Sequence, residues 1–131
     1  MGLFLPVFLA GGLGALTRFA VNAVLQRKWA SRFTERGAAF PIGTFVINVS
    51  GSFLLGLITG FASAHVGAGA RDLAAIAGTG FVGAYTTFST EEWQTLGLLR
   101  TGAGMEGVSV IGSLAASLIV AGCGLWLGSQ I

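Results

Sequence analysis

The sequence predicts an all-α membrane protein with four transmembrane helices. Of its 131 residues, 53% are hydrophobic and only 9% are charged, whereas about a quarter of the residues in a soluble domain carry a charge. Mean hydropathy is +0.82. A spanning helix needs about 20 apolar residues. The chain therefore has room for four spans with short loops, and residues 1–131 form a single domain.

The first predicted span covers residues 3–26. Pro6 falls in its first turns, where the missing N–H of proline costs least, and the small residues that follow would let another helix approach closely. Arg18 interrupts the apolar run. Its side chain either snorkels to the membrane surface or attracts anions at the mouth of a pathway. No basic region precedes the run, so we expect no cleaved signal peptide.

The second predicted span covers residues 41–64 and follows a polar connection that holds most of the basic residues. Within the span no charge occurs, and small residues recur at every fourth position, which predicts a face packed on a neighbouring helix. These small residues are Ser52, Gly56, Gly60 and Ala64. Asn48 lies near the middle, where its amide needs partners: it either bonds two helices together or faces a polar cavity.

The third predicted span covers residues 73–99, after a short loop at residues 65–72. Residues 78–90 combine three glycines within six positions with a pair of threonines, and both residue types disfavour a continuous helix. We therefore expect the helix to break there. Backbone that leaves a helix inside a membrane must be buried in protein or line a cavity, so the break is a candidate ion site.

The fourth predicted span covers residues 107–128, after a last loop at residues 100–106. Ser109, Ser113 and Ser117 stand at four-residue intervals and therefore share one face of the helix. Such a row of hydroxyls indicates either a simple helix contact or a polar pathway shared with Asn48 on the second span.

The sequence contains few of the groups that enzymes use. One histidine and one cysteine are present, so an intramolecular disulfide and most catalytic or metal constellations are excluded. The Gly-x-Gly-x-x-Gly spacing at residues 78–83 matches the dinucleotide-binding motif. That motif binds a dinucleotide only between a strand and a helix, so we reject it inside a membrane span. The net charge of +2 comes mainly from one basic loop, which indicates membrane orientation and no nucleic-acid partner. We expect a protein that is not an enzyme.

Four motifs, one in each span, resemble those of the Fluc (CrcB-type) fluoride channels. Residues 83–90 read GAYTTFST, where the family has a glycine pair or Gly-Ala before x-Thr-Thr-Phe-Ser-Thr. Residues 11–19 look like the family's first-span motif and residues 43–51 like its second-span motif, and the fourth-span serines have its polar-track spacing. Four matches in the right order cover the whole chain, which makes the resemblance much more specific than any single motif.

The resemblance implies a multi-pass bacterial cell-membrane protein that forms an antiparallel dimer with two pores. These pores conduct fluoride passively down its gradient and so give fluoride resistance. The family's pore positions correspond to Asn48, Phe88, Ser109, Ser113 and Ser117. Its vestibule arginine corresponds to Arg18. The resemblance also implies a structural Na⁺ at the dimer centre, not transported, which main-chain carbonyls of Gly83 and Thr86 would hold.

Two positions depart from the family's pattern. Glu91 replaces the second phenylalanine, and Ser109 replaces the tyrosine that usually starts the fourth-span track. A carboxylate at Glu91 opposes anion conduction unless it is protonated or turned away. A non-conducting or half-functional subunit of a heteromeric fluoride channel, paired with an oppositely oriented paralogue, therefore stays open. A small multidrug-type transporter would need a carboxylate in its first span, and residues 3–26 contain none.

Overall fold

The computed structural model describes residues 2–34, 42–86 and 105–131, whose regular structure is helical throughout. The elements are α1 (Phe4–Thr34), α2 (Ile42–Ala64), α3 (Ala68–Leu73), a π-helix (Ala74–Val82), α4 (Gly83–Thr86) and α5 (Met105–Gln130). Among the described residues, three helices are long and apolar enough to cross a membrane, over Phe4–Leu25, Gly43–Ala64 and Ile111–Gln130. The chain is an all-α membrane protein, as the composition predicts.

Helix α1 is longer than the span that hydropathy predicts. It continues to Thr34, so the expectation of a loop from residue 27 onward is wrong for residues 27–34. Arg27 and Lys28 lie on this helical extension and are exposed. Residues 27–34 contain neither glycine nor proline, and arginine, lysine and alanine are good helix formers. The polar residues therefore end the apolar span without ending the helix.

The connection between the second and third spans is shorter than predicted. It consists of residues 65–67, and α3 begins at Ala68, inside the expected loop of residues 65–72. Gly67 caps this helix in an extended conformation, with φ −175° and ψ 161°. Alanines and an arginine follow, which favour helix over loop. Helix α5 contains the predicted fourth span and extends two residues beyond it at each end, so residues 105 and 106 are helical rather than loop.

Helix α3, the π-helix and α4 form one continuous helical stretch, residues 68–86, which we call the third segment. Its joints have helical backbone angles, with φ −59° and ψ −46° at Leu73 and φ −57° and ψ −45° at Gly83. The predicted break is therefore absent over residues 78–86, where the hydrogen bonding widens into a π-helix instead. Residues 87–90 lie outside the described residues, as does the rest of the predicted span to residue 99, and a break there stays a prediction.

Glycines allow the third segment to pack closely on α1. A Cβ atom built on Gly14 would collide with the backbone of Phe81, and one built on Gly80 would lie 2.8 Å from the carbonyl oxygen of Val7. The expectation that small residues in the first span admit another helix is confirmed at Gly14. These contacts also explain why the glycines of the third segment stay helical, because tertiary packing overrides their low intrinsic propensity.

The largest helix interface lies between α2 and α5. A Cβ atom on Gly56 would meet the carbonyl oxygen of Ala121, and one on Gly60 would meet that of Leu125. Gly124 and Gly128 approach the carbonyls of Phe53 and Leu57 in the same way. The predicted small-residue face is thus confirmed at its two glycines. Residue numbers rise together along both helices, so α2 and α5 run parallel.

Helix α2 is the centre of the described structure, since it contacts every other element. Its contacts with the third segment run in the opposite sense from those with α5. Gly51 faces Thr86, whereas Gly78, earlier in the third segment, faces Leu55, later in α2. The third segment is therefore antiparallel to α2 and packs between it and α1.

Candidate ion pathway

The polar residues that the sequence singles out on α2 and α5 lie near one another along two parallel helices that pack together. Ser52 of α2 and Ser117 of α5 line the same groove. Asn48 and Ser113 each lie one helical turn before these serines, toward the N-terminal ends of the same two helices. Three of the predicted pore residues therefore lie on two helices that face each other.

Asn48 and Ser113 are both buried, with 9% and 7% of their surfaces exposed. The amide nitrogen of Asn48, Nδ2, has no hydrogen-bond acceptor among the described residues. Leaving a buried donor unpaired costs about 1–3 kcal/mol. An amide nitrogen carries two N–H donors and a serine hydroxyl carries one. This level of the α2 and α5 interface is therefore suited to a guest that accepts hydrogen bonds.

An open groove of about 480 Å³ continues from this level along α2 and α5. Its polar lining residues are Ser52, Thr59 and Ser117, and the remaining ones are small or aliphatic. None of the described residues that line it is charged. The groove presents hydroxyls along an apolar, uncharged wall, which is the kind of surface along which a small ion can be solvated without being trapped by an opposite charge.

Three polar residues of α2 were not assigned to the site from the sequence. Thr44 is buried, with 8% of its surface exposed, one turn before Asn48, and Ser52 and Thr59 line the groove. The four-residue spacing of Thr44, Asn48 and Ser52 is the same as that of the serine row on α5 and could have revealed two of them. Ser52 was assigned instead to the small-residue packing face.

Arg18 lies in α1, within the apolar span, and is half-buried. It does not line the groove between α2 and α5. A vestibule role for Arg18 stays a prediction.

The two residues expected to hold Na⁺ lie at the end of the third segment. Gly83 is exposed, and among the described residues a Cβ atom built on it would meet only the carbonyl oxygen of Gly78, at 3.9 Å. Thr86 is half-buried, and its hydroxyl donates to the carbonyl of Val82 at 3.0 Å. A main-chain Na⁺ site at these residues stays a prediction.

Three further predicted positions have no side-chain geometry to report. Phe88 and Glu91 lie outside the described residues. Ser109 lies in α5 one turn before Ser113, but its side chain is not among those described. Their roles stay predictions from the sequence.

Comparison with known proteins identifies the family of this chain. Residues 5–129 match the family model described as CrcB-like protein, Camphor Resistance (CrcB). The chain is 41% identical to a protein of Leifsonia xyli named fluoride-specific ion channel FluC 1, over 95% of this chain and 85% of that protein. It is also 41% identical to the fluoride-specific ion channel FluC of Acidobacterium capsulatum, over 98% of this chain and 94% of the relative. The chain therefore belongs to the CrcB-like family.

Proposed function

We propose that this chain is a passive fluoride channel of the bacterial cell membrane that lets cytoplasmic fluoride leave down its gradient. Membership of the CrcB-like family and relatives named fluoride-specific ion channels support the proposal. The observation that carries it is the buried Nδ2 of Asn48, which has no acceptor among the described residues and lies one helical turn from the groove that Ser52 and Ser117 line. It is a channel and not an enzyme.

The chemistry of fluoride suits this pathway. Fluoride is a small anion that accepts hydrogen bonds strongly, so donors must replace its water when it enters the membrane. The amide of Asn48 and the hydroxyls of Ser113 and Ser117 supply such donors without a formal positive charge. An ion held by neutral donors at several successive positions can both enter and leave, which conduction requires.

We also propose four membrane crossings and an antiparallel dimer. The parallel course of α2 and α5 supports the first, because two parallel spans need an odd number of crossings between them. The third segment, antiparallel to α2, supplies the first part of that crossing. The open groove between α2 and α5 and the exposed residue Gly83 support the antiparallel dimer, because a partner copy would cover both.

Na⁺ at the centre of this dimer is part of the proposal. Main-chain carbonyls of Gly83 and Thr86 from both subunits would hold it, since hard cations prefer oxygen ligands. The bound ion would supply a fixed positive charge between the two subunits.

Glu91 favours one alternative, a heteromeric channel. If its carboxylate faces a pore, that pore conducts poorly, and this chain serves as one half of a channel formed with an oppositely oriented paralogue. A single complete pore would then conduct in each heterodimer.

Fluoride efflux from liposomes that contain only the purified protein tests the proposal. We expect fast fluoride release and no comparable release of chloride, with protein-free liposomes as the control. Absence of release from this protein alone, followed by release after co-reconstitution with a paralogue, would replace the self-sufficient channel by the heteromeric one. Absence of release in both cases would contradict both.

A further inference from the structure

A hydrogen bond in the bundle interior joins the third segment to α2. Tyr85 of α4 is buried, with 6% of its surface exposed, and its hydroxyl lies 3.0 Å from Oγ of Ser50. Ser50 Oγ also lies 2.7 Å from the carbonyl oxygen of Val46 and donates its proton there. A serine hydroxyl has one proton to give. Tyr85 is therefore the donor of the bond between the helices, and Ser50 is its acceptor.

The neighbours of Tyr85 hold its ring in one place. The ring stacks on Phe81 at 6.0 Å with an interplanar angle of 12°. On the other side, a Cβ atom on Gly51 would lie 3.3 Å from Cδ1 of Tyr85, so the absence of a side chain at Gly51 makes room for the ring. A buried tyrosine hydroxyl needs a partner. Ser50 is the partner that this geometry supplies.

The glycine contacts of the third segment set its distance from α1 and α2, and the hydrogen bond adds a directional contact to this packing. A hydrogen bond is directional and short in range, so the bond from Tyr85 to Ser50 fixes the height of α4 along α2. Ser50 stands two residues after Asn48, and Tyr85 stands between Gly83 and Thr86. The bond therefore ties the segment expected to hold the cation to the turn of α2 that carries the unpartnered amide.

We infer that Tyr85 and Ser50 are positioning residues for ion conduction, which hold α4 at the height where Asn48 is correctly placed. The inference rests on the proposed fluoride channel. Neither residue needs to touch the ion. Tyr85 acts through Ser50 on the register between the two helices.

Fluoride efflux from liposomes carrying Tyr85→Phe, Ser50→Ala or both substitutions tests the inference. Tyr85→Phe keeps the ring and its stacking, and Ser50→Ala removes the acceptor without changing the ring. Three quantities are measured separately. The fraction of vesicles that release fluoride reports folded channels, whereas the release rate in those vesicles and the selectivity for fluoride over chloride report conduction. The matched control is Ser63→Ala on the same helix, because the hydroxyl of Ser63 donates to the carbonyl of Thr59 in its own helix, at 2.8 Å.

We expect each single substitution to lower the rate per active vesicle about threefold, the factor typical of one hydrogen bond between membrane helices. Selectivity for fluoride should fall as well. The double variant should be no worse than the worse single variant, because both changes remove the same bond. Ser63→Ala should leave rate and selectivity unchanged.

Three outcomes would overturn the inference. Unchanged rates and selectivity in both single variants would mean that the bond does not position the pathway. A double variant whose loss equals the product of the two single losses would mean that the residues act independently. Fewer active vesicles with an unchanged rate in each would mean that the bond serves only folding. Each of these three outcomes presupposes that the wild-type protein releases fluoride. If the wild-type protein releases no fluoride, the proposed channel is contradicted instead.

Discussion

At the scale of single residues, the polar side chains of these helices satisfy their hydrogen bonds in two ways. The hydroxyls of Thr17, Ser63 and Thr86 each donate to the carbonyl four residues earlier, at 2.8, 2.8 and 3.0 Å. Such bonds close locally and need no neighbour. Asn48 is different, because its buried Nδ2 finds no acceptor in the part of the chain that the structure describes. That difference separates a candidate ion ligand from hydroxyls that serve the helix itself.

Replacing Asn48 should therefore separate conduction from stability. Asn48→Leu keeps the branched shape of the side chain but removes both donors, and we expect the fluoride efflux rate to fall at least about tenfold, because hydrogen bonds to a charged group contribute about 1.5–3 kcal/mol. Thermal stability should stay equal or rise, because an unpaired buried amide disappears. Thr17→Val on the exposed side of α1 is the matched control and should keep the rate. Loss of less than twofold for Asn48→Leu would show that its amide is not on the pathway.

At the scale of elements, the structure is organised by glycines that bring backbones together. Gly56 and Gly60 of α2 meet carbonyls of α5, and Gly124 and Gly128 of α5 meet carbonyls of α2. Membrane helices gain little hydrophobic driving force from association, so this close packing stabilises the pair instead. Because the two helices also carry Asn48 and the serines, the packing decides which polar residues come level with each other.

A pair of alanine substitutions on α5 tests the role of this packing. A Cβ atom on Gly124 would collide with the carbonyl oxygen of Phe53, which is backbone and cannot turn away. Gly124→Ala should lower the free energy of unfolding by about 1–3 kcal/mol, as overpacking does. A Cβ atom on Gly122 meets nothing within 4 Å. Gly122→Ala should therefore raise the free energy of unfolding by about 0.5–1 kcal/mol, because alanine has the higher helix propensity. Denaturation in detergent measures both, and equal changes would contradict the interface.

At the scale of the whole molecule, large apolar side chains face outward. Phe4 and Phe19 of α1 are each 76% exposed, which suits contact with lipid or with a second subunit.

The proposed antiparallel dimer adds a cation at its centre. Replacing Na⁺ by a larger monovalent cation such as Cs⁺ should weaken assembly and slow fluoride efflux, because carbonyl ligands that fit Na⁺ would fit a larger ion poorly. If the amount of dimer and the rate of fluoride efflux are unchanged in Na⁺-free buffer, the Na⁺ site is contradicted.

The basic residues predict a fixed orientation of the molecule in the membrane. With four spans, one side holds Arg27, Lys28, Arg32, Arg36 and Arg100, and the other holds only Arg71. Arg27, Lys28 and Arg32 all lie at the C-terminal end of α1, because this helix extends to Thr34. Since Lys and Arg in short loops stay in the cytoplasm, we expect most copies to have both termini outside. An antiparallel dimer in cells would then need a partner of opposite bias.

Labelling in whole cells measures this orientation. A single cysteine is placed at the C-terminus in a Cys123→Ala background, because the native Cys123 is exposed, and cells are treated with a membrane-impermeant thiol reagent. We expect near-complete labelling, and a buried position such as Val82→Cys serves as the unlabelled control. Labelling of about half the molecules would refute the fixed orientation and favour a homodimer that inserts both ways.

The sequence by itself determined the class of the protein and the residues that matter within each helix. Hydropathy and charge are local properties, so they located the apolar spans. Four-residue spacing is also local, and it predicted the packing face at Gly56 and Gly60 as well as the polar faces at Asn48 and Ser113. Local signals were weaker at helix ends, where they missed the extension of α1 and the early start of α3, since loss of hydropathy does not by itself end a helix.

Only the tertiary structure decided how those faces meet. The glycine contacts that join α2 to α5 link residues far apart in sequence, and no single-helix pattern contains them. The same is true of the bond from Tyr85 to Ser50, which joins residues of different spans at 3.0 Å. The glycines of residues 78–83 predicted a break from their propensity, yet all three remain helical, and α2 packs against Gly78 and α1 against Gly80. Packing between helices contributes free energy that intrinsic propensity cannot report, and it therefore fixes both the register and the continuity of the chain.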